Sequence, residues 1–100
     1  MKVTAETNSS TTTNYRRFYL EDGPIVGAGD SYIDGTEFQA ELVTIKWIEG
    51  EIPESAVVRG RRIGEYGDLV NRSHERSFQI SGSTPRLHAV PPEWLVELLK

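Results

Sequence analysis

The chain contains no cysteine among its 100 residues. This absence excludes disulfide frameworks, thiolate nucleophiles and the usual cysteine-based structural zinc sites. No apolar run approaches the roughly 20 residues that a membrane-spanning helix needs. The first residues, 1–6, also lack the apolar core of a secretory signal. We therefore expect a cytoplasmic protein without membrane association, bound metal or cofactor.

The chain is also short and acidic. It has 11 basic and 15 acidic residues, a net charge of −4 and an isoelectric point near 5.1. A length of 100 residues leaves room for one small domain with a thin core. The acidic balance argues against a dedicated nucleic-acid-binding domain, which usually carries an excess of basic residues.

Threonine, serine and asparagine dominate residues 3–14, which hold no large apolar side chain after Val3. Such a stretch buries too little apolar area to offset the entropy lost on ordering. The composition predicts a disordered polar N-terminal arm over residues 1–14 and one folded domain over residues 15–100.

Short β-rich segments follow, separated by glycine, proline, asparagine and aspartate. Alternation and β-branched content predict strands over 15–20, 36–49, 56–63 and 69–80, with a short edge strand over 86–90. Gly64–Asp68 predicts a hairpin loop between the third and fourth of these strands. Within 36–49 the apolar side chains change face midway, since Phe38, Ala40 and Leu42 alternate on one side and Val43, Ile45 and Trp47 on the other. That change predicts a β-bulge in the longest strand.

The end of the chain has helical rather than strand periodicity. Pro91–Pro92 precedes an apolar stripe formed by Trp94, Leu95, Leu98 and Leu99. A helix over 92–100 is too short to be stable alone, so it must pack on the sheet. We expect a mainly β fold: a small twisted meander or a partly open, SH3-like or OB-like barrel of about five strands with a short C-terminal helix.

Catalytic and metal motifs are incomplete. Asp30–Glu41 has only part of a calcium-loop pattern, and a common Asp34–Gly35 turn is the favoured interpretation. Gly27–Gly29 lacks the remainder of a phosphate-binding motif. His74 and His88 have no nucleophile at a recognisable spacing. We therefore predict no enzymatic activity.

The charges are segregated along the chain. Residues 20–54 hold nine acids against one lysine, whereas residues 55–90 hold six arginines against three acids. If the strands over 56–63 and 69–80 pair as a hairpin, cross-strand neighbours would concentrate the basic side chains in one patch. The predicted partner-binding residues are Arg59, Arg61, Arg62, Tyr66, Arg72, His74 and Arg76.

The pattern favours a non-enzymatic interaction module that docks a protein partner through this bipolar surface, acidic over 20–54 and arginine-rich over 56–80. A phage or mobile-element origin fits such a short chain. Two alternative functions stay open, beside the interpretation of the arginines as only a solvated sheet face balanced by weak surface ion pairs. One is a self-assembling structural subunit whose N-terminal arm becomes ordered between neighbours. The other is a small barrel that binds nucleic acid with Tyr66 stacked on a base, or an acidic decoy of a nucleic-acid-binding protein.

Overall fold

The computed structural model describes residues 1–27, 37–64, 66–80 and 91–99. Within these ranges the chain forms six strands and one helix. In chain order they are β1 (Lys2–Ser9), β2 (Thr13–Glu21), β3 (Ile25–Val26), β4 (Phe38–Ile48), β5 (Ser55–Ile63), β6 (Leu69–Gln79) and α1 (Glu93–Leu98). The predicted turn at Asp34–Gly35, the calcium-type loop that begins at Asp30 and the predicted strand over 86–90 lie outside the described residues.

The strands form one antiparallel sheet in the order β1-β2-β4-β5-β6, and β3 pairs with the end of β4. The predicted mainly β fold with a short C-terminal helix is confirmed. Of the two architectures that the sequence left open, the sheet is the meander and is not closed into a barrel. β1 and β6 are its two edges, and no ladder joins them in the described part of the chain.

The structure differs from the expectation of a disordered arm over residues 1–14. β1 occupies Lys2–Ser9, and all eight of its residues pair in continuous register with β2, from Lys2 opposite Glu21 to Ser9 opposite Asn14. All eight are exposed. The sequence argument considered only apolar burial, whereas β1 is held by backbone hydrogen bonds to β2 and by the β-propensity of its valine and threonines.

The predicted bulge in the longest strand is confirmed at Glu41, where the register between β4 and β5 shifts between Ala40 and Leu42. Its effect is the reverse of the predicted change of face. The extra residue brings Val43 and Ile45 to the same buried side as Phe38 and Ala40. A bulge therefore keeps the apolar side chains of a strand whose sequence breaks alternation on one face of the sheet.

That buried side is called the inner face here, and the opposite side the outer face. The inner face carries one apolar core, consisting of Phe18, Leu20, Val26, Phe38, Ala40, Val43, Ile45, Ala56, Val58, Phe78 and Leu95. Leu95 of α1 is fully buried, and Trp94, Leu98 and Leu99 pack against the same cluster. The predicted docking of the helix on the sheet is confirmed, with the stripe at helical spacing as the contact.

Candidate interaction surface on the sheet

The register of the β5–β6 hairpin places the predicted basic residues on both faces of the sheet. Val58 lies opposite Arg76 and Gly60 opposite His74, on the inner face, whereas Arg59 lies opposite Glu75 and Arg61 opposite Ser73. Arg59 and Arg61 therefore belong to the outer face. The prediction that cross-strand pairing gathers these side chains into one patch is wrong, because alternation orders residues within a strand but the register decides which faces coincide.

The inner-face members are involved in packing. Arg76 is only 8% exposed, its Nη1 donates to the Gly27 carbonyl oxygen at 3.0 Å, and its guanidinium carbon lies 5.6 Å from the centre of the Phe38 ring. The His74 ring meets the same phenylalanine edge-on at 5.3 Å between centroids. These two side chains cover Phe38, so they support the core rather than present an accessible basic surface.

The remaining predicted residues lie near the tip of the hairpin. Arg62 and Arg72 line a shallow cleft together with Val70. Three residues of β6, 70–72, lie opposite Arg62 where the register shifts between Arg61 and Ile63, so the β5–β6 ladder is irregular at this point. Tyr66 is 93% exposed in the loop. The seven predicted residues are therefore divided among the inner face, the outer face and the hairpin tip.

The outer face brings together side chains from all five long strands. One cross-strand row contains Thr4, Tyr19, Leu42, Arg59 and Glu75, and the next contains Glu6, Arg17, Thr44, Val57 and Ser77. Tyr15 and Lys46 lie opposite each other in a third row. Among the described residues no helix or strand packs over this face, and Tyr19 stays 42% exposed.

Charged and aromatic groups interleave on the outer face. Arg17 Nη1 lies 3.7 Å from Glu6 Oε1, and Arg61 Nε lies 2.9 Å from Glu41 Oε2. The Arg17 and Lys46 cations lie 5.1 and 5.7 Å from the centre of the Tyr15 ring. Two arginines are thus neutralised locally, and the tyrosine is held between two cations.

Arg59 has a different environment from the other outer-face arginines. Its Nη2 donates to Ser73 Oγ at 3.2 Å, and within the described ranges no carboxylate lies at ion-pair distance from it. Its cross-strand neighbours, Leu42 and Glu75, provide one apolar and one acidic contact. Arg59 is therefore an exposed cation beside a half-buried apolar row, an arrangement typical of interface residues.

Sequence reasoning missed the β2 and β4 members of this face. Tyr15, Arg17 and Tyr19 occupy alternate positions of β2, interleaved with the buried Phe18 and Leu20. That alternation was a usable signal, since the tyrosines and the arginine must share the side opposite the core. The segregation of charge along the chain instead favoured the β5–β6 hairpin as the candidate surface.

The described residues contain no group of three or more histidine or acidic side chains that could hold a metal ion. In the same ranges no helix is long and apolar enough to cross a bilayer.

Comparison of the chain with protein-family models, curated proteins and solved structures gave no match.

Proposed function

We propose that the chain is a non-enzymatic interaction module that docks a protein partner through the outer face of its sheet. The observation that carries the proposal is the row formed by Tyr19, Leu42 and Arg59, which lies on a face that no described element covers. Aromatic and arginine side chains beside half-buried apolar ones are enriched in the energetic centres of protein interfaces.

The charges of the face favour a protein over a nucleic acid. Glu6 and Glu41 already pair with Arg17 and Arg61, and Glu75 lies directly opposite Arg59. A phosphate backbone would meet these carboxylates as like charges and would have to displace them from the arginines. A protein surface can instead offer a carboxylate to Arg59 and an apolar side chain to Tyr19 and Leu42.

The environment of His74 supports a binding role over a catalytic one. It is the sole histidine within the described ranges, and its ring packs edge-on against the buried Phe38 with Nε2 buried. A general base has to reach the proton that it abstracts. His74 is therefore a packing residue in this proposal.

The test compares the same arginine-to-glutamate substitution on two different surfaces, together with one substitution of Tyr19. The folded wild-type protein captures its partners from lysate of the source cell after nuclease treatment, and each captured protein is then purified and titrated against Arg59→Glu and Tyr19→Ser. We expect each substitution to weaken binding at least about tenfold, as is usual for central interface residues. Arg72→Glu, an exposed arginine near the hairpin tip, is the matched control and should bind as the wild type does.

Two results would contradict the proposal. One is a partner whose binding is lost with Arg72→Glu and kept with Arg59→Glu, which would move the interface to the cleft at the hairpin tip. The other is binding of labelled single-stranded or double-stranded nucleic acid at low salt that weakens steeply as salt is raised, which would favour the nucleic-acid alternative.

A further inference from the structure

β1 is an edge strand whose side chains are exposed to solvent on both faces of the sheet. All eight of its residues are exposed, and its only ladder in the described part of the chain is the one with β2. Because β1 buries no side chain, its stability comes from backbone pairing with β2 and from exposed cross-strand contacts such as Glu6–Arg17, which contribute little. An additional pairing partner would supply the stabilisation that the core does not give to β1.

The free edge of β1 can be assigned residue by residue. The Ser10 amide donates to the Thr13 carbonyl oxygen at 2.8 Å, so these two residues form a hydrogen-bonded pair at the hairpin end. In an antiparallel ladder such pairs alternate along the strand. Thr4, Glu6 and Asn8 therefore direct their amides and carbonyls to β2, whereas Val3, Ala5 and Thr7 direct theirs to the open edge.

This edge lacks the features that usually prevent strand addition. β1 contains no proline, and its register with β2 runs over eight consecutive pairs without a bulge. Natural edge strands are commonly protected by prolines, bulges or inward-pointing charges. The two charged residues of β1 are Lys2 and Glu6, which lie on the outer side with Thr4.

We propose that β1 pairs antiparallel with β1 of a second copy of this chain, so that the two sheets become one continuous sheet about a two-fold axis. Residues whose amides face the open edge must lie opposite one another, so every symmetric register is centred on a residue, and the registers centred on Thr4, Ala5 and Glu6 pair the middle of the strand. The register centred on Glu6 places the two Glu6 carboxylates opposite each other. The register centred on Ala5 leaves both charged residues opposite neutral ones.

The register centred on Thr4 places Lys2 opposite Glu6 of the second copy, twice by symmetry. Directly opposite charges of unlike sign stabilise a strand pair, and like charges destabilise it. Charge complementarity therefore selects this register and identifies the second copy as the occupant of the edge. Since the two-fold axis is perpendicular to the sheet, both outer faces lie on the same side of the dimer.

The other edge of the sheet opposes the same mode of association. Symmetric pairing of β6 centred on His74 would place Arg72 opposite Arg76, centring on Glu75 would oppose the two glutamates, and centring on Arg76 would oppose the two arginines. Like charges in these positions are the usual protection of an edge. These three registers of β6 are therefore disfavoured, and two-fold pairing through β1 by itself closes the assembly as a dimer.

The absence of cysteine gives a clean crosslinking test. In the register centred on Thr4, the two Thr4 Cα atoms of a non-hydrogen-bonded pair lie about 4.5 Å apart, within the range that a disulfide spans. Thr4→Cys should form a disulfide dimer under mild oxidation at least about tenfold faster than Ala5→Cys, whose two copies would lie two residues out of register. Faster crosslinking of Ala5→Cys, or equal crosslinking of both variants, would overturn the proposal.

A second measurement uses reversible association, followed by sedimentation or light scattering as concentration rises. Ala5→Pro removes an outward amide, leaves the amides directed to β2 intact and should abolish the dimer while circular dichroism still shows the folded sheet. Lys2→Glu should raise the dimer dissociation constant about tenfold, and Lys2→Glu with Glu6→Lys should restore most of that loss. A wild-type chain that stays monomeric at every concentration reached, or no rescue by the charge exchange, would contradict the proposal.

Discussion

The β1–β2 hairpin and the β5–β6 hairpin lie at the two opposite edges of the sheet and differ in which side chains they bury. β1 contributes no buried residue, whereas β5 and β6 bury Ala56, Val58, Gly60, Arg76 and Phe78. Both are antiparallel ladders of similar length. Their difference shows that regular pairing and core formation are separate contributions to stability: β1 is held to β2 mainly by backbone hydrogen bonds, whereas both strands of the β5–β6 hairpin also bury side chains.

The comparison has a consequence for local stability. Segments with few buried apolar contacts open at a lower free energy than core strands, so the β1 side should open independently of the rest. Substitutions on the β5–β6 side should instead destabilise the whole domain.

Phe78→Ala should have the largest effect. The side chain is fully buried in β6, and its removal leaves a cavity in a thin core. We expect the free energy of unfolding to fall by about 3–5 kcal/mol, measured by chemical denaturation. Val57→Ala, on the half-buried outer side of the same hairpin, is the control and should cost much less. Equal losses for the two variants would contradict the assignment of the inner face.

Gly60→Ala tests the close approach of β4 and β5 beside the Glu41 bulge. A Cβ at Gly60 would lie 1.7 Å from the carbonyl oxygen of Gln39, so the ladder has to shift to accept it. We expect a loss of about 3 kcal/mol in the free energy of unfolding. Gly67→Ala is the matched control: beyond its chain neighbours no atom of the described residues lies within 4 Å of the added Cβ, and its φ of +82° makes the cost conformational, about 1–2 kcal/mol. A smaller effect at Gly60 than at Gly67 would show that the strands separate easily there.

Arg76→Met tests whether the buried arginine is a packing residue. The substitution keeps much of the apolar volume and removes the donor to the Gly27 carbonyl oxygen, so we expect unfolding to become easier by about 1–3 kcal/mol. The exposed Arg72→Met should change stability by less than about 0.5 kcal/mol. If Arg76→Met were neutral and Arg72→Met destabilising, the division of the predicted patch between the two faces would be wrong.

Thr7→Ala in β1 should have the smallest effect. Thr7 is exposed and lies opposite Arg16, so the change in the free energy of unfolding of the dilute protein should stay within about 0.5 kcal/mol. Phe18→Ala, the matched change in the neighbouring strand β2, should cost several-fold more because Phe18 belongs to the core. A large effect of Thr7→Ala at high dilution would mean that β1 contributes to the core stability after all.

Much of the fold was predictable because it follows from local periodicity. The predicted strands over 56–63 and 69–80 match β5 and β6 to within one residue, and the helix stripe around Leu95 docks as expected. The bulge was predictable as well, because a broken alternation in the sequence leaves an inserted residue as the simplest explanation. Periods of 2 and 3.6 residues are properties of one segment and require no knowledge of its neighbours.

The candidate surface was predictable only in part. Arg59 and Arg61 were correctly singled out as exposed arginines, but His74 and Arg76 were grouped with them although they lie on the opposite face. Tyr15 and Tyr19 were not singled out, because their position on the outer face depends on which side of β2 packs against the core. The alternation of side chains within each strand was predicted correctly. The error arose because the faces of two strands were matched without knowledge of their register.

Local sequence patterns were enough to place β2, β4, β5 and β6, the apolar helix and the bulge. The folded sheet was needed to show that residues 2–9 pair as an edge strand, that Arg76 is buried against Phe38 and that the outer face joins β2, β4 and β5. Cross-strand register could not be predicted in this way because it is a non-local quantity. It depends on loop length, bulges and the packing of the whole core, so a shift of one residue exchanges every inner side chain for an outer one.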